Sequence, residues 1–205
     1  TPWHQYRKHF TSDLRTHHVV KFCREHQSTL ERAAEEFGVY PAIIVSIIGV
    51  ETNYGRNTGS YKVIDALTTL AFDYYTYTNK RESRKKFFTI QLEHLFLLAR
   101  EQQQDPLSLK GSYAGAMGWG QSMPNSYRNY AVDYDGDGFA DIWTNPTDAI
   151  GSVANYFTKH GWQKDQPVAT RVHIEGKVSE EGLNKMQRPK TSIADLVAMG
   201  YQPVE

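Results

Sequence analysis

Apolar positions at helical spacing dominate the first 160 residues. A helix-like run spans Val19 to Leu30. From Ser28 to Phe37, Leu30, Ala33, Ala34 and Phe37 recur with a 3.6-residue period, and Gly38 can supply a left-handed stop. Pro41 stands where a first-turn proline opens another helix, through Ile43, Ile44, Ile47 and Ile48. Ile64, Leu67 and Ala71 predict a third helix. Phe88, Leu92, Leu95 and Ala99 predict a longer fourth one that stops before Asp105-Pro106, with a polar, tyrosine-rich connection from Tyr74 to Arg84 between the two. Glycines at 111, 115, 118 and 120 then break the pattern, followed by a short helix from Pro124 and an Asp/Gly loop. A last well-formed helix runs from about Thr147 to His160, with Ile150, Val153, Ala154 and Phe157 on one face and Gly161 as its stop.

Beyond Gly161 the period changes. Val168, Thr170, Val172 and Ile174 alternate with Ala169, Arg171 and His173, which reads as a strand, and after a mixed stretch a short helix is expected from Ser192 to Met199. The fold class is therefore mainly α. An N-terminal helical segment (1–30) and a helical core (31–160) are expected, with a small β-containing subdomain over 161–205. No internal repeat or low-complexity tract occurs.

Composition narrows the classes. At 205 residues a sizeable core can be buried without disulfides, and 40% hydrophobic with 22% charged residues excludes a disordered chain. No run of eighteen apolar residues exists, so the segment as given is expected to be soluble. Lys plus Arg and Asp plus Glu both total 23, which leaves no global field to draw the chain to nucleic acid. Cys23 is the only cysteine, so no intrachain disulfide forms, and its place suits a small buried apolar residue. The chain opens Thr-Pro-Trp without a leader pattern, so a signal peptide was removed or never present. Thirteen tyrosines and four tryptophans exceed the needs of a core, and either line a groove for a sugar-like or peptide ligand or lie scattered on the surface.

Three features carry chemistry. Ile43, Ile47 and Glu51 are spaced i, i+4, i+8, so a carboxylic acid continues an apolar stripe near a helix C-terminus. Loss of water and the negative end of the helix dipole would both raise its pKa, as general-acid cleavage of a glycosidic bond requires. The alternative is that the stripe ends at Val50 and Glu51 points into water as the helix stops before Gly55. The run Gly111 to Pro124 lacks the Gly-Lys-Ser/Thr ending of a phosphate loop. Its glycines either let the backbone approach a bulky ligand, with Ser112, Trp119 and Gln121 available for polar contacts, or form a tight turn with no ligand. Finally, Asp133, Asp135 and Asp137, then Gly138 and Asp141, follow the spacing of an EF-hand-like calcium loop. Thr144 stands at position 12, where a bidentate Glu belongs, and Asp148 could close a longer loop; a solvated acidic turn is the alternative.

Taken together, these residues resemble the soluble core of the membrane-bound lytic transglycosylase B family. The likeness runs from Trp3-His-Gln-Tyr-Arg7 through Gly49-Val-Glu-Thr52, Leu107-Ser-Leu-Lys-Gly-Ser112 and Ala114-Gly-Ala-Met-Gly118 to Asp148-Ala-Ile-Gly-Ser-Val-Ala-Asn-Tyr156. It implies a lysozyme-like helical core with Glu51 as the single catalytic acid and base. It implies saccharide contacts at Tyr6, Ser112, Gln121 and Tyr156, with Arg84 a further substrate residue. It also implies one structural Ca2+ held by Asp133, Asp135, Asp137, the Phe139 carbonyl and Asp148, and no organic cofactor. The implied reaction is non-hydrolytic cleavage of the β-1,4 bond between N-acetylmuramic acid and N-acetylglucosamine, leaving 1,6-anhydromuramic ends. Peptidoglycan glycan strands are the implied partner, with cell-wall synthesis proteins as candidates beside them and no nucleic acid; a monomer is expected. The implied location is the periplasm, with the parent either anchored to the outer membrane as a lipoprotein or soluble.

The sequence departs from the family at Ser122, where an aromatic is usual, and at Ser83-Arg84, where two arginines are usual. The acidic loop is one residue longer, and a C-terminal Tyr-Asn pair is missing, which reads as truncation or processing. Two rivals stand: a lysozyme-type hydrolase with Asp65 or Asp73 as second carboxylate, and a non-catalytic, calcium-stabilised cell-wall binding module.

Overall fold

The computed structural model describes residues 2–76, 78–174 and 191–204. A short helix, α1 (Trp3–Tyr6), leads through a single 3-10 turn at Arg7–His9 into α2 (Asp13–Glu25). Helix α2 starts where the Ser12 hydroxyl accepts the Arg15 N–H at 3.3 Å, satisfying a donor that has no partner inside the helix. A break at His26 (φ −120, ψ 22) separates it from α3 (Gln27–Phe37), so the run Val19 to Leu30 is two helices rather than one. Gly38, at φ +69, ends α3 as its glycine predicts. Cys23 is only half-buried.

Pro41 opens α4 (Pro41–Thr52), and a two-residue strand β1 (Tyr61–Lys62) precedes α5 (Val63–Phe72). Helix α6 (Arg81–Glu101) starts earlier than its apolar period indicates, because its first two turns are solvated and carry few core residues. Strand β2 (Lys110–Gly111) pairs antiparallel with β1, and then come α7 (Pro124–Tyr130) and α8 (Pro146–Lys159). Strand β3 (Arg171–Ile174), α9 (Ile193–Ala198) and β4 (Tyr201–Val204) complete the described chain; the mixed stretch at 175–190 lies outside the described residues. Strand β4 pairs antiparallel with β3, Val172 opposite Pro203 and Ile174 opposite Tyr201. The proline inside β4 obscures its strand signal in the sequence. Among the described residues no single helix is long and apolar enough to cross a membrane.

The chain forms two compact units, Thr1–Lys164 and Asp165–Glu205. The first is mostly helical and has two hydrophobic clusters. One joins α2, α3, α4 and α8 through Phe22, Leu30, Ile44, Ile48 and Ile150; the other joins α5, α6 and α7 through Leu67, Phe88, Leu95, Leu98 and Tyr127, with Met117 and Ile142 from the loops. Burying each such side chain stabilises the fold by about 1.5–3 kcal/mol. The glycine-rich run spans the seam between the clusters, with Met117 in one and Trp119 against the other. In the second unit, α9 is capped by the Ser192 hydroxyl, which accepts the Asp195 N–H at 3.1 Å.

Candidate active site

Along α4 the buried residues are Ile44, Val45, Ile48, Gly49 and Thr52. The Ile43, Ile47, Glu51 row lies beside this stripe, about a third of a turn away, and forms its rim. Glu51 therefore neither enters the core nor simply faces bulk water. It is exposed by area, yet it lines a cavity of about 330 Å³ with Ile47, Met123, Tyr130, Val153 and Tyr156, and burial there raises its pKa. Among the described residues no hydrogen bond or ion pair reaches the Glu51 carboxylate, and it is the only carboxylate on the cavity wall. Asp65 and Asp73, at the two ends of α5, are exposed and do not line it.

The turn after Glu51 is built to hold its place. Asn53, Tyr54 and Gly55 all have positive φ, 51, 60 and 75. The Thr52 hydroxyl donates to Trp119 O at 2.9 Å and accepts the Gly55 N–H at 3.1 Å. A Cβ on Gly55 would lie 2.4 Å from the Trp119 ring, so glycine alone lets the two segments meet. The Trp119 indole N–H donates to Trp143 O at 2.9 Å, so of the two readings left open for this residue the structure favours the packed turn.

Gln121 lines the cavity in a left-handed conformation (φ 50), with its amide nitrogen donating to Thr58 O at 3.2 Å and Gly118 O at 3.0 Å. Its side-chain oxygen is left as an acceptor. Gln121 also borders a second, more polar cavity of about 470 Å³ shared with Ser112, Arg56 and Tyr61. The Ser112 hydroxyl accepts the Ala114 and Ala116 N–H groups at 3.3 and 3.1 Å and thereby closes its own loop. Tyr156 lies almost flat on His160, with ring centroids 3.9 Å apart at 25°, and Tyr130 meets it edge-on at 5.3 Å. The structure thus brings Glu51, Gln121 and Tyr156 to one cavity and Ser112 to its neighbour. Tyr6 and Arg84 line neither: Tyr6 sits on α1 against Phe10 at 5.3 Å, and the exposed Arg84 guanidinium lies over Phe87 and Phe88. Sequence reasoning missed Tyr130, Ser126 and Met123 as wall residues, since nothing in a seven-residue helix marks which side meets a cavity.

In the acidic loop, carboxylate oxygens of Asp133, Asp135 and Asp148 lie within 4.8 Å of one another. Fully buried Asp148 takes N–H bonds from Tyr134 and Asp135 on one oxygen and from Asp141 on the other, at 2.7, 3.3 and 2.8 Å. Asp133 accepts N–H bonds from Gly136, Asp137 and Gly138, which hold its carboxyl below the usual range. No ion pair among the described residues neutralises these groups. Three converging carboxylates with only oxygen donors fit a hard divalent cation. Asp137 stands outside the cluster, with its Oδ1 accepting the Phe139 N–H at 2.9 Å. Asp141 instead accepts the Trp143 and Thr144 N–H groups and the Thr144 hydroxyl, closing a turn. The cluster adjoins the cavity through α8, whose first turn carries Asp148 and whose later turns carry Ser152, Val153 and Tyr156.

Comparison with known proteins shows the family and the fold. The family model of the transglycosylase SLT domain matches residues 1–205. Membrane-bound lytic murein transglycosylase B of Escherichia coli (strain K12) is 46% identical over 201 residues, 98% of this chain and 52% of the relative, so the chain spans about half the length of that curated relative. The crystal structure of soluble lytic transglycosylase SltB1 from Pseudomonas aeruginosa superposes with a TM-score of 0.89 at 52% identity, covering 98% of this chain and 65% of that one. The Escherichia coli lytic transglycosylase Slt35 in complex with calcium gives 0.86 at 45% identity, covering 99% and 61%.

Proposed function

Because this chain belongs to the transglycosylase SLT domain family, we propose that it carries the lysozyme-like catalytic core of a peptidoglycan lytic transglycosylase with Glu51 as its one acid and base. The observation that carries the reading is the isolation of Glu51, a carboxyl that burial pushes towards its protonated form on a cavity where, among the described residues, it has no partner and no second carboxylate beside it. A raised pKa favours the protonated form, which a general acid needs. Protonated Glu51 gives its proton to the oxygen between N-acetylmuramic acid and N-acetylglucosamine, and the C1–O bond breaks. The substrate's N-acetyl group stabilises the cation that develops. The Glu51 carboxylate then takes the proton of the muramic C6 hydroxyl, and that oxygen bonds to C1. The enzyme ends protonated as it began, and no water is consumed. A hydrolase would need a second carboxyl about 5–5.5 Å away, or about 6.5–9.5 Å away to admit water, and among the described residues the cavity wall supplies none.

Gln121, Ser112 and Tyr156 are the proposed saccharide contacts nearest Glu51, with Tyr6 and Arg84 as outer contacts to glycan or peptide. The acidic loop is the proposed calcium site: Asp133, Asp135 and Asp148 would hold the ion, with Asp137 and the Phe139 carbonyl completing the EF-hand-like set. Its contribution is structural, fixing the first turn of α8. The reaction belongs to the murein layer of the periplasm.

Mass spectrometry of sacculi digested in heavy-oxygen water tests the reading. Ends should be 1,6-anhydro-N-acetylmuramic acid without label, lighter than hydrolysis products by one water (about 18 mass units). Glu51→Gln should lose about 10² to 10⁴ of the rate for each proton transfer. Labelled reducing ends would establish a hydrolase instead, and a Glu51→Gln variant with a tenth of the parent rate would move the chemistry to another residue.

A further inference from the structure

The turn that presents Glu51 is gripped from behind by α2. Gly49 lies in the last turn of α4, where carbonyls run out of partners within the helix. Its oxygen accepts the Asn53 N–H at 3.0 Å and, from 34 residues earlier in the chain, Arg15 Nη1 at 2.6 Å. One turn further along α2, His18 Nδ1 meets Asn53 Oδ1 at 3.0 Å, and Asn53 is the left-handed residue that ends α4. The other side of Gly49 is closed as well, since a Cβ there would lie 2.4 Å from the Tyr54 hydroxyl. Tyr54 is in turn held against Phe22 of α2, ring centroids 5.1 Å apart. Two side chains of α2 therefore bond on both sides of Glu51, Arg15 to the Gly49 carbonyl and His18 to the Asn53 side chain, while a third packs on the residue that fills the remaining space.

From this we infer that Arg15 is a positioning residue for Glu51, acting through the Gly49 carbonyl, and that α2 is part of the catalytic apparatus. The inference rests on the reading of Glu51 as acid and base given above. A charged donor at 2.6 Å makes the strong class of hydrogen bond, and a cation at a helix C-terminus is favoured by the dipole. Arg15 has no carboxylate partner among the described residues, and its guanidinium lies 5.8 Å from the Phe10 ring, so the Gly49 carbonyl is its one hydrogen-bonded anchor among the described residues. Without the bond the Gly49 carbonyl keeps only the Asn53 N–H, the backbone just before Glu51 loses its tie to α2, and the carboxyl moves relative to Gln121 and Tyr156. A shift of about 1 Å in a reacting group can cost about 10²-fold in rate.

The test compares Arg15→Met, Arg15→Lys and Leu98→Ala on purified glycan strands, well below each melting temperature. Leu98→Ala destabilises the fold from the cluster around α5, α6 and α7 and leaves α2 and the Gly49 bond alone. Arg15→Met should lower kcat by about 10- to 100-fold with KM within about twofold, an effect of the size expected for misplacement. Arg15→Lys, which keeps a charged donor, should recover most of the loss, and Leu98→Ala should keep the parent kcat despite a lower melting temperature. An unchanged kcat in Arg15→Met, or a loss in Leu98→Ala as large as that in Arg15→Met, would overturn the inference. Should Arg15→Met not fold, Arg15→Gln takes its place under the same criteria. Glu51→Gln run in parallel separates the two ideas: an active Glu51→Gln removes the catalytic reading, whereas an inactive one beside a fully active Arg15 variant removes only the role of Arg15.

Discussion

Gly49→Ala isolates the packing behind the turn that carries Glu51, because two effects of known size oppose each other there. In a helix interior alanine is favoured over glycine by about 1 kcal/mol, so propensity alone makes the change stabilising. The new Cβ, however, would lie 2.4 Å from Tyr54 Oη, 2.7 Å from Cζ and 3.3 Å from Cε1. These are atoms of a ring only 8% exposed, packed on Phe22, whose own ring lies 6.0 Å from that of Trp119. The ring cannot swing outward without moving both, and overpacking of this kind costs about 1–3 kcal/mol. Taking the upper half of that range for a closed site, the net is a destabilisation of about 1–2 kcal/mol, or about 3–6 °C in melting temperature for a chain of this size. Thermal unfolding by circular dichroism reads it directly, and turnover should fall as well, since Glu51 is two residues on. A second background completes the argument: in Tyr54→Ala the obstruction is gone, and Gly49→Ala should become neutral or stabilising. A Gly49→Ala protein that melts at or above the parent temperature, or a Tyr54→Ala background that leaves its cost unchanged, would refute the reasoning.

Calcium at about 100 times its dissociation constant should stabilise the native state by about 2.7 kcal/mol, some 5–10 °C, over chelator-treated protein, with Asp148→Asn abolishing the response; a melting temperature indifferent to chelator would remove the site. Glu51→Gln should be slightly more stable than the parent at neutral pH. Burial raises the Glu51 pKa, so its ionised form opposes folding above the folded-state pKa, and the deficit disappears as pH falls through that value to the ordinary carboxylate range. The residue is exposed by area, which keeps the gain below about 1 kcal/mol; a Glu51→Gln protein less stable than the parent at pH 7 would contradict the desolvation. Gln91 is buried in α6 with Oε1 accepting the Asn125 N–H in the first turn of α7, at 3.1 Å. Gln91→Leu leaves that donor unsatisfied and should cost about 1–3 kcal/mol, measured by urea unfolding; a loss under half of the lower figure would show the bond to be replaceable.

Much of the fold could be read from the chain. The stops at Gly38 and before Asp105, the start at Pro41 and the faces of the helices ending near His160 follow from period, caps and glycines, which act within a few residues. The existence of Glu51 at the margin of an apolar row was equally legible. Which side of that margin it occupies was not, because a row of isoleucines does not say which third of its circumference a partner will cover. Packing of α2 and α8 on α4 decided it, burying the row through Ile44 and Ile48 and leaving Ile47 and Glu51 as a cavity wall. The same holds for Trp119, an open choice in sequence and a structural donor once Trp143 lies beside it. Local rules determined the elements and placed Glu51 at the end of its row. Contacts between residues far apart in sequence, from Arg15 to Gly49 and from Thr52 to Trp119, decided how the acid is held. Long-range pairing depends on burial summed over many side chains, a sum that no short window of sequence contains.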